Sequence, residues 1–316
     1  VNVRQRSLGN TGLPCSELGL GTWGLSGDAY GPVSPDEQNR VIARARLLGV
    51  KLFDTADSYG LGEMERRLAD VLGVDESLTV VTKIGTNRDV VPAQKCFSRE
   101  FLEKSLDACA SRLRPRALDV VLLHNPSVST VVSGEATRFL AEQTRIGRIK
   151  SWGVSVGSKA VAEAALDAGA PIVELAFNVL WPRELRAIEA RAEAAGVGIL
   201  ARSVLAHGLL AGYFPSDKVF PSFDHRSERW TSDELRTRIR ELDALRPLVG
   251  GDVSSLRAVA LRWVLGHSLV SSAILGPRSS LQLDQLVRDA GREPPYLSDE
   301  AIKTLESRLE ELGARA

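Results

Sequence analysis

The stretches VKLFDTADSYG, LTVVTKIG and LDVVLLHNP each leave an apolar run on polar side chains: Asp54 and Tyr59, then Lys83, then His124. A strand buried on both faces has no packing reason to end on a carboxylate, a phenol, an ammonium or an imidazole. If the three runs are parallel neighbours in a closed barrel, their C-terminal ends converge and the four groups share one small volume. The chemistry such a set performs is proton transfer. Taken singly, each residue also has a structural explanation: Asp54 capping a turn, Tyr59 a surface aromatic, Lys83 paired with Asp54 for stability, His124 bonded to backbone. The chain uses arginine far more than lysine and holds only 4 histidines, so a lysine and a histidine at strand ends carry weight.

The elements that must position these groups are legible. Short apolar runs alternate with segments of helical period, the signature of parallel βαβ units. Eight runs read as strands: ELGLGTW, VKLFDTA, LTVVTKI, LDVVLLH, IKSWGVSV, IVELAFN, VGILARS and SSAILG. Helices are expected over 35–48, 98–113, 159–168, 182–195, 255–265 and 279–290. The pattern SPDE opens the first and SREF the second. A further amphipathic helix, 298–312, follows the eighth strand. The expected fold is therefore α/β, a (β/α)8 TIM barrel in a single domain over 1–316. A β-hairpin at 1–16, turning at GNTG, precedes the barrel.

Residues 206–252 break the rhythm. They are too long for an ordinary connection and hold Tyr213, Phe214, Phe220, Phe223 and Trp230 beside the charged helical stretch DELRTRIRELDAL. Insertions on the strand-end side of a barrel shape its ligand site. The Gly60–Gly62 pair lacks the third glycine and the first-turn context of a dinucleotide-binding Rossmann unit, which argues against that fold.

Composition narrows the partners. Forty basic and 40 acidic residues give a formal net charge of +0, so no global field draws the chain to nucleic acid or an anionic membrane. A small neutral or anionic ligand is expected. The 3 cysteines, Cys15, Cys96 and Cys109, form no CxxC pair, against a disulfide framework or a metal site and in favour of a reducing cytoplasm. No apolar run approaches the roughly 18 residues of a membrane span.

Across residues 3–290, the elements LGLGTW, FDTADSYGLGE, VVTKIG, DVVLLHNP, GRIKSWGVS, ELAFN, ILARSVLAHGLLAG and ILGPRSSLQLDQL resemble the aldo-keto reductases in kind and order. The resemblance implies NADPH bound at the C-terminal ends of the strands and a hydride passed to a carbonyl carbon. It implies that Tyr59 is the general acid, Lys83 lowers the phenol's pKa from about 10, Asp54 orients Lys83, and His124 hydrogen-bonds the substrate oxygen. It also assigns cofactor contacts: Ser155 and Glu174 at the carboxamide, Arg202 beside the nicotinamide, and Ser203, Leu205, Gly208 and Leu210 along the pyrophosphate. Gly276, Arg278, Gln282 and Gln285 fall at the adenosine end, where an arginine favours a 2'-phosphate and hence NADPH.

Five positions depart from the family pattern. Val156 replaces an asparagine, Glu174 a glutamine, Arg202 an aromatic residue in many members, and Gln285 and Leu286 a Glu-Asn pair, which weakens contacts to adenine. A carboxylate accepts from the carboxamide but cannot donate to it. Because 174 and 202 lie near the ends of adjacent strands, a Glu174–Arg202 ion pair beneath the nicotinamide is expected. Trp23, Tyr30 and Asn125 are candidate substrate contacts, with Trp181 and Trp230 as further aromatics. The implied activity is reduction of an aldehyde, ketone or sugar-like carbonyl. A nicotinamide-sensing regulatory subunit and a sugar dehydrogenase using NAD(P) in the oxidising direction are the alternatives.

Overall fold

The computed structural model describes residues 2–291, 294 and 296–312. Its N-terminal segment is the expected hairpin, with β1 (Gln5–Ser7) antiparallel to β2 (Pro14–Ser16). The eight expected strands follow as β3 (Leu18–Gly21), β4 (Leu52–Asp54), β5 (Thr79–Ile84), β8 (Leu118–His124), β9 (Ile149–Ser155), β10 (Ile172–Ala176), β11 (Gly198–Arg202) and β12 (Val270–Leu275). Two short strands between β5 and β8, β6 (Thr86–Asn87) and β7 (Gln94–Lys95), make a separate hairpin. The eight parallel strands close into a barrel in the order β10-β11-β12-β3-β4-β5-β8-β9. This is the (β/α)8 architecture expected from the sequence.

Helices cover the outside: α1 (Pro35–Leu47), α2 (Glu63–Leu72), α3 (Arg99–Arg112), α4 (Val128–Ser133), α5 (Glu135–Arg145), α6 (Lys159–Asp167), α7 (Arg183–Ala195), α8 (Ser232–Glu241), α9 (Leu256–Leu265), α10 (Ser280–Ala290) and α11 (Asp299–Glu311). Serine hydroxyls at 34, 98, 158, 255, 279 and 298 each accept the amide of the third residue onward, satisfying an orphan donor of the first turn. These caps explain why several expected helices begin one residue early. The sequence reading did not name α2, α4 or α5. Of these, α2 follows the Gly60–Gly62 turn, and α4 and α5 meet at Gly134 in the left-handed region (φ 74). The insertion holds the expected charged helix as α8. Helix α11 lies on the flank, burying Leu305 and Leu309 and pairing Glu306 with Arg186 of α7 at 2.8 Å.

The strands read as unbroken apolar runs because both faces are buried. One face packs on the helices, as Phe53, Val121 and Leu123 do with Leu68, Leu106 and Phe139. The other fills the barrel with Leu52, Val81, Val120, Leu122, Ile172, Leu200 and Ile274. Leu8 and Cys15 of the N-terminal hairpin join that interior cluster and close the end opposite the strand C-termini. Among the described residues, no helix is long and apolar enough to cross a membrane.

The hairpin is thus part of the barrel core. Leu8 is 1% exposed, and Leu8→Ala is expected to lower unfolding free energy by about 2–5 kcal/mol in urea titration. A loss below about 0.5 kcal/mol would show that the hairpin is only an appendage.

Candidate active site

Side chains alternate along a strand, so each residue two beyond an interior one also faces inward. Asp54, Lys83, His124, Glu174 and Arg202 stand two residues after Leu52, Val81, Leu122, Ile172 and Leu200, all members of the interior cluster. The register aligns them: His124 and Glu174 both stand opposite Ser155. The apolar filling of the barrel therefore gives way, at its C-terminal end, to one layer of charged and polar groups.

Lys83 is the centre of that layer and is 1% exposed. Its ammonium donates to Asp54 Oδ2 and, at 3.0 Å, to the Thr55 carbonyl, and it lies 3.5 Å from Glu174 Oε2. Burial alone would depress the ammonium, but Asp54 and Glu174 outweigh it and hold its pKa above the ordinary value of 10.5. Burial also raises the Asp54 carboxyl, against the pull of Lys83.

Tyr59 begins the turn Tyr59–Gly62 just after β4, and its ring centroid is 5.4 Å from Lys83 Nζ. His124 meets that ring edge-on, with centroids 6.0 Å apart and planes at 83°. The four groups of the opening motif thus share one volume. The expectation of a lowered phenol pKa is corrected here: burial raises Tyr59 above its ordinary 10.0, and Lys83 opposes this without reversing it. The phenol keeps its proton. Burial, then the charges of Lys95, Lys83 and Arg202, hold the His124 imidazole well below 6.5, so it is neutral at pH 7, and its Nδ1 has no partner.

These residues line a cavity of about 760 Å³. Ser155, Glu174, Arg202, Ser203, Leu205, Gly208, Gly276, Arg278, Gln282 and Gln285 share its wall with Trp23, Tyr30 and Asn125. Asn125 (φ 51) and Ser203 (φ 55), each immediately after a barrel strand, occupy the left-handed region that non-glycine residues rarely adopt, and strain of this kind concentrates at functional sites.

Leu210 is a correction: its side chain is fully buried in the apolar core and absent from the wall. The Glu174–Arg202 ion pair is a second. Glu174 turns to Lys83, while Arg202 Nη2 donates to the Val156 carbonyl at 2.9 Å. A buried ammonium between two carboxylates competes better for Glu174 than a guanidinium that has a carbonyl within reach. Trp181 and Trp230 also stand off the wall, packing on His207 instead.

The sequence reading missed Arg88 and Lys95 of the β6–β7 hairpin, and His207, Arg226 and Arg229 of the insertion, all on the wall. A signal existed for the first two, since TNRDVVPAQK leaves β5 on the strand-end side, where barrel loops build sites. Trp23, Tyr30, His207 and His225 stack together, with Trp23 and His225 centroids 4.6 Å apart. Among the described residues, no group of His, Cys, Asp or Glu could hold a metal ion.

The wall suits a dinucleotide. Among the described residues, His124 Nδ1 and Arg278 Nε are buried with no hydrogen-bond partner, as expected of groups that face a ligand. At Gly276, where a Cβ would meet nothing within 4 Å, backbone is open to close approach, and Gly208 (φ 90) takes a left-handed conformation on the same wall.

Residues 17–310 match the model of the Aldo/keto reductase family. The chain is 31% identical over 302 residues to an uncharacterized oxidoreductase of Mycobacterium bovis, a match covering 91% of this chain and 88% of that one. It is similar to the solved glycerol dehydrogenase from Gluconobacter oxydans, with a TM-score of 0.84 and 26% identity over 99% of this chain and 97% of that one. It also shares its fold with an aldo-keto reductase from Bacillus halodurans in holo form, with a TM-score of 0.80 and 20% identity over 97% and 96% of the two chains.

The neutral His124 has a consequence for stability. Below about pH 6.5 the unfolded chain takes up a proton that the folded imidazole refuses, so the stability present above that pH is lost as pH falls. His124→Asn is expected to flatten this fall by up to about 1.4 kcal/mol per pH unit in denaturant titrations between about pH 7 and 5. Equal slopes for the two proteins would mean that the imidazole protonates freely in the fold.

Proposed function

This chain belongs to the aldo-keto reductase family of oxidoreductases, and from that premise we propose that it reduces an aldehyde, ketone or sugar-like carbonyl with NADPH, Tyr59 serving as general acid. The observation that carries this reading is the contact of three groups in one cavity: the Tyr59 ring 5.4 Å from the Lys83 ammonium and 6.0 Å from the His124 ring. When bound, a reduced nicotinamide supplies the hydride.

The residues of this chain supply the rest. A buried, protonated Tyr59 holds the proton that a carbonyl oxygen needs as negative charge develops on it. The phenolate left behind faces an ammonium that two carboxylates keep charged, so Lys83 favours the product of donation. A neutral His124 donates a hydrogen bond to the same oxygen without competing for the proton. Ser155 and Glu174 would hold the carboxamide, Arg202 would stand beside the ring, and Ser203, Leu205 and Gly208 would follow the pyrophosphate. Gly276, Arg278, Gln282 and Gln285 would meet the adenosine end, where the Arg278 guanidinium would favour a 2'-phosphate.

The glycerol dehydrogenase likeness favours a second reading, oxidation of a polyol or sugar alcohol. The same residues run it in reverse, with Tyr59 taking the proton back. Nicotinamide absorbance followed with both nucleotides, against carbonyls in one direction and polyols in the other, separates the two.

Tyr59→Phe is expected to cut turnover by about 10²–10⁴-fold. Nucleotide affinity should stay within about threefold, under roughly 1 kcal/mol. A comparable loss of nucleotide binding would assign Tyr59 a structural role and remove the acid from the scheme.

A further inference from the structure

The cavity wall carries more cations than its own carboxylates answer. Lys83 has Asp54 and Glu174, Arg226 has Asp224, and Arg257 has Asp289. Among the described residues, Arg202, Arg229 and Arg278 have no acidic partner; Arg202 and Arg278 are assigned to the nucleotide, and Arg229 lies by Tyr30 and His207. Arg88 and Lys95 also have none among the described residues, and no nucleotide role reaches them. Arg88 Nη1 donates only to the Ser58 carbonyl at 2.6 Å, and Lys95 Nζ only to Thr86 Oγ1 at 2.8 Å.

Topology separates these two from the nucleotide. Their hairpin grows from β5, and β5 stands four places from β11 in either direction around the barrel, whereas Ser203–Gly208 grows from β11. The neighbours of β5 are β4 and β8, whose ends carry Tyr59 and His124. The hairpin therefore rises between the two groups assigned to the carbonyl oxygen. One contact agrees with this, since the Ser58 carbonyl that holds Arg88 directly precedes Tyr59, and Lys95 lies near enough to His124 for its charge to help depress the imidazole.

Acids on this side do not neutralise the pair. Asp28 Oδ2 accepts from the Gly60 amide. Asp57 is the carboxylate whose charge acts on Lys95, but burial pushes it up to about 7 and leaves its Oδ1 without a partner.

We propose that the β6–β7 hairpin is an anion-recognition wall, so that the substrate carries a carboxylate or phosphate beside its carbonyl and Lys95 and Arg88 hold that group while the oxygen lies between Tyr59 and His124. This rests on the carbonyl-reductase reading and narrows its substrate class. The hairpin orients the substrate and selects it by charge; it takes no part in proton transfer. Arg88 and Lys95 are exposed residues at the cavity rim, and a charge-assisted hydrogen bond there outweighs the same contact to a neutral group.

The test uses two matched pairs with the nucleotide-loaded protein: 4-carboxybenzaldehyde against its methyl ester, and glyceraldehyde 3-phosphate against glyceraldehyde. The anionic member of one pair is expected to have about tenfold or higher kcat/KM, and the pair that shows this distinguishes carboxylate from phosphate. Lys95→Gln should reduce that anionic-to-neutral ratio about tenfold, through KM rather than kcat, and Lys95→Arg should restore it. No anion advantage in the unaltered protein, or a ratio that Lys95→Gln leaves in place, overturns the proposal. If no member of either pair turns over, the reductase reading fails separately. Calorimetric binding of benzoate and of inorganic phosphate then decides: Lys95-dependent binding of either sustains the anion site, and its absence in both overturns it.

Discussion

A lysine ammonium with 1% exposure has to be answered by charge, and in this protein the answer is two carboxylates from the strands around it. Taking an ion of that kind out of water costs several kcal/mol, and removing one partner of such a group leaves the other uncompensated. That constraint explains why β4, β5 and β10 end as they do. Asp54, Lys83 and Glu174 are not independent choices; each makes the burial of another tolerable. The layer is also what the phenol responds to. Tyr59 is driven toward its neutral form by burial and toward its ionised form by Lys83, and burial prevails. A group held protonated, beside a charge that favours its conjugate base, is suited to give up a proton only when something accepts it.

Barrel geometry makes such a layer possible. Strand alternation turns every second residue inward, and closure of eight strands brings those residues to a common axis. Leucine, valine and isoleucine fill the lower layers, and the N-terminal hairpin seals the base with Leu8 and Cys15. The polar layer is therefore supported from below by close-packed side chains and is open only on the cavity side. The insertion after β11 and the β6–β7 hairpin then bring aromatic and cationic groups to the rim.

What the sequence made legible follows the same division. The eight strands, the hairpin and the polar strand ends were readable because both faces of each strand are buried, so any polar residue stands out against an apolar run. Leu210 was misplaced because its neighbours belong to the cavity wall, and nothing in the local pattern marks a side chain turned to the core. The Glu174–Arg202 pair failed because adjacency of strands does not rank partners; Lys83 competes for the same carboxylate. The phenol's direction was missed for a related reason. A lysine nearby is visible in the sequence, but the depth of burial that outweighs it is a property of the closed fold. Arg88 and Lys95 belong to a hairpin whose two strands are only two residues each, too short for any periodicity to report.

The buried triad itself is open to direct observation by nitrogen NMR of the lysine Nζ groups. Surface lysines lose their ammonium signal near the ordinary value of about 10.4. Lys83 is predicted to remain charged past that point, with a shielded, slowly exchanging ammonium. An Nζ at position 83 that titrates with the surface lysines, or below them, would contradict the account at its base.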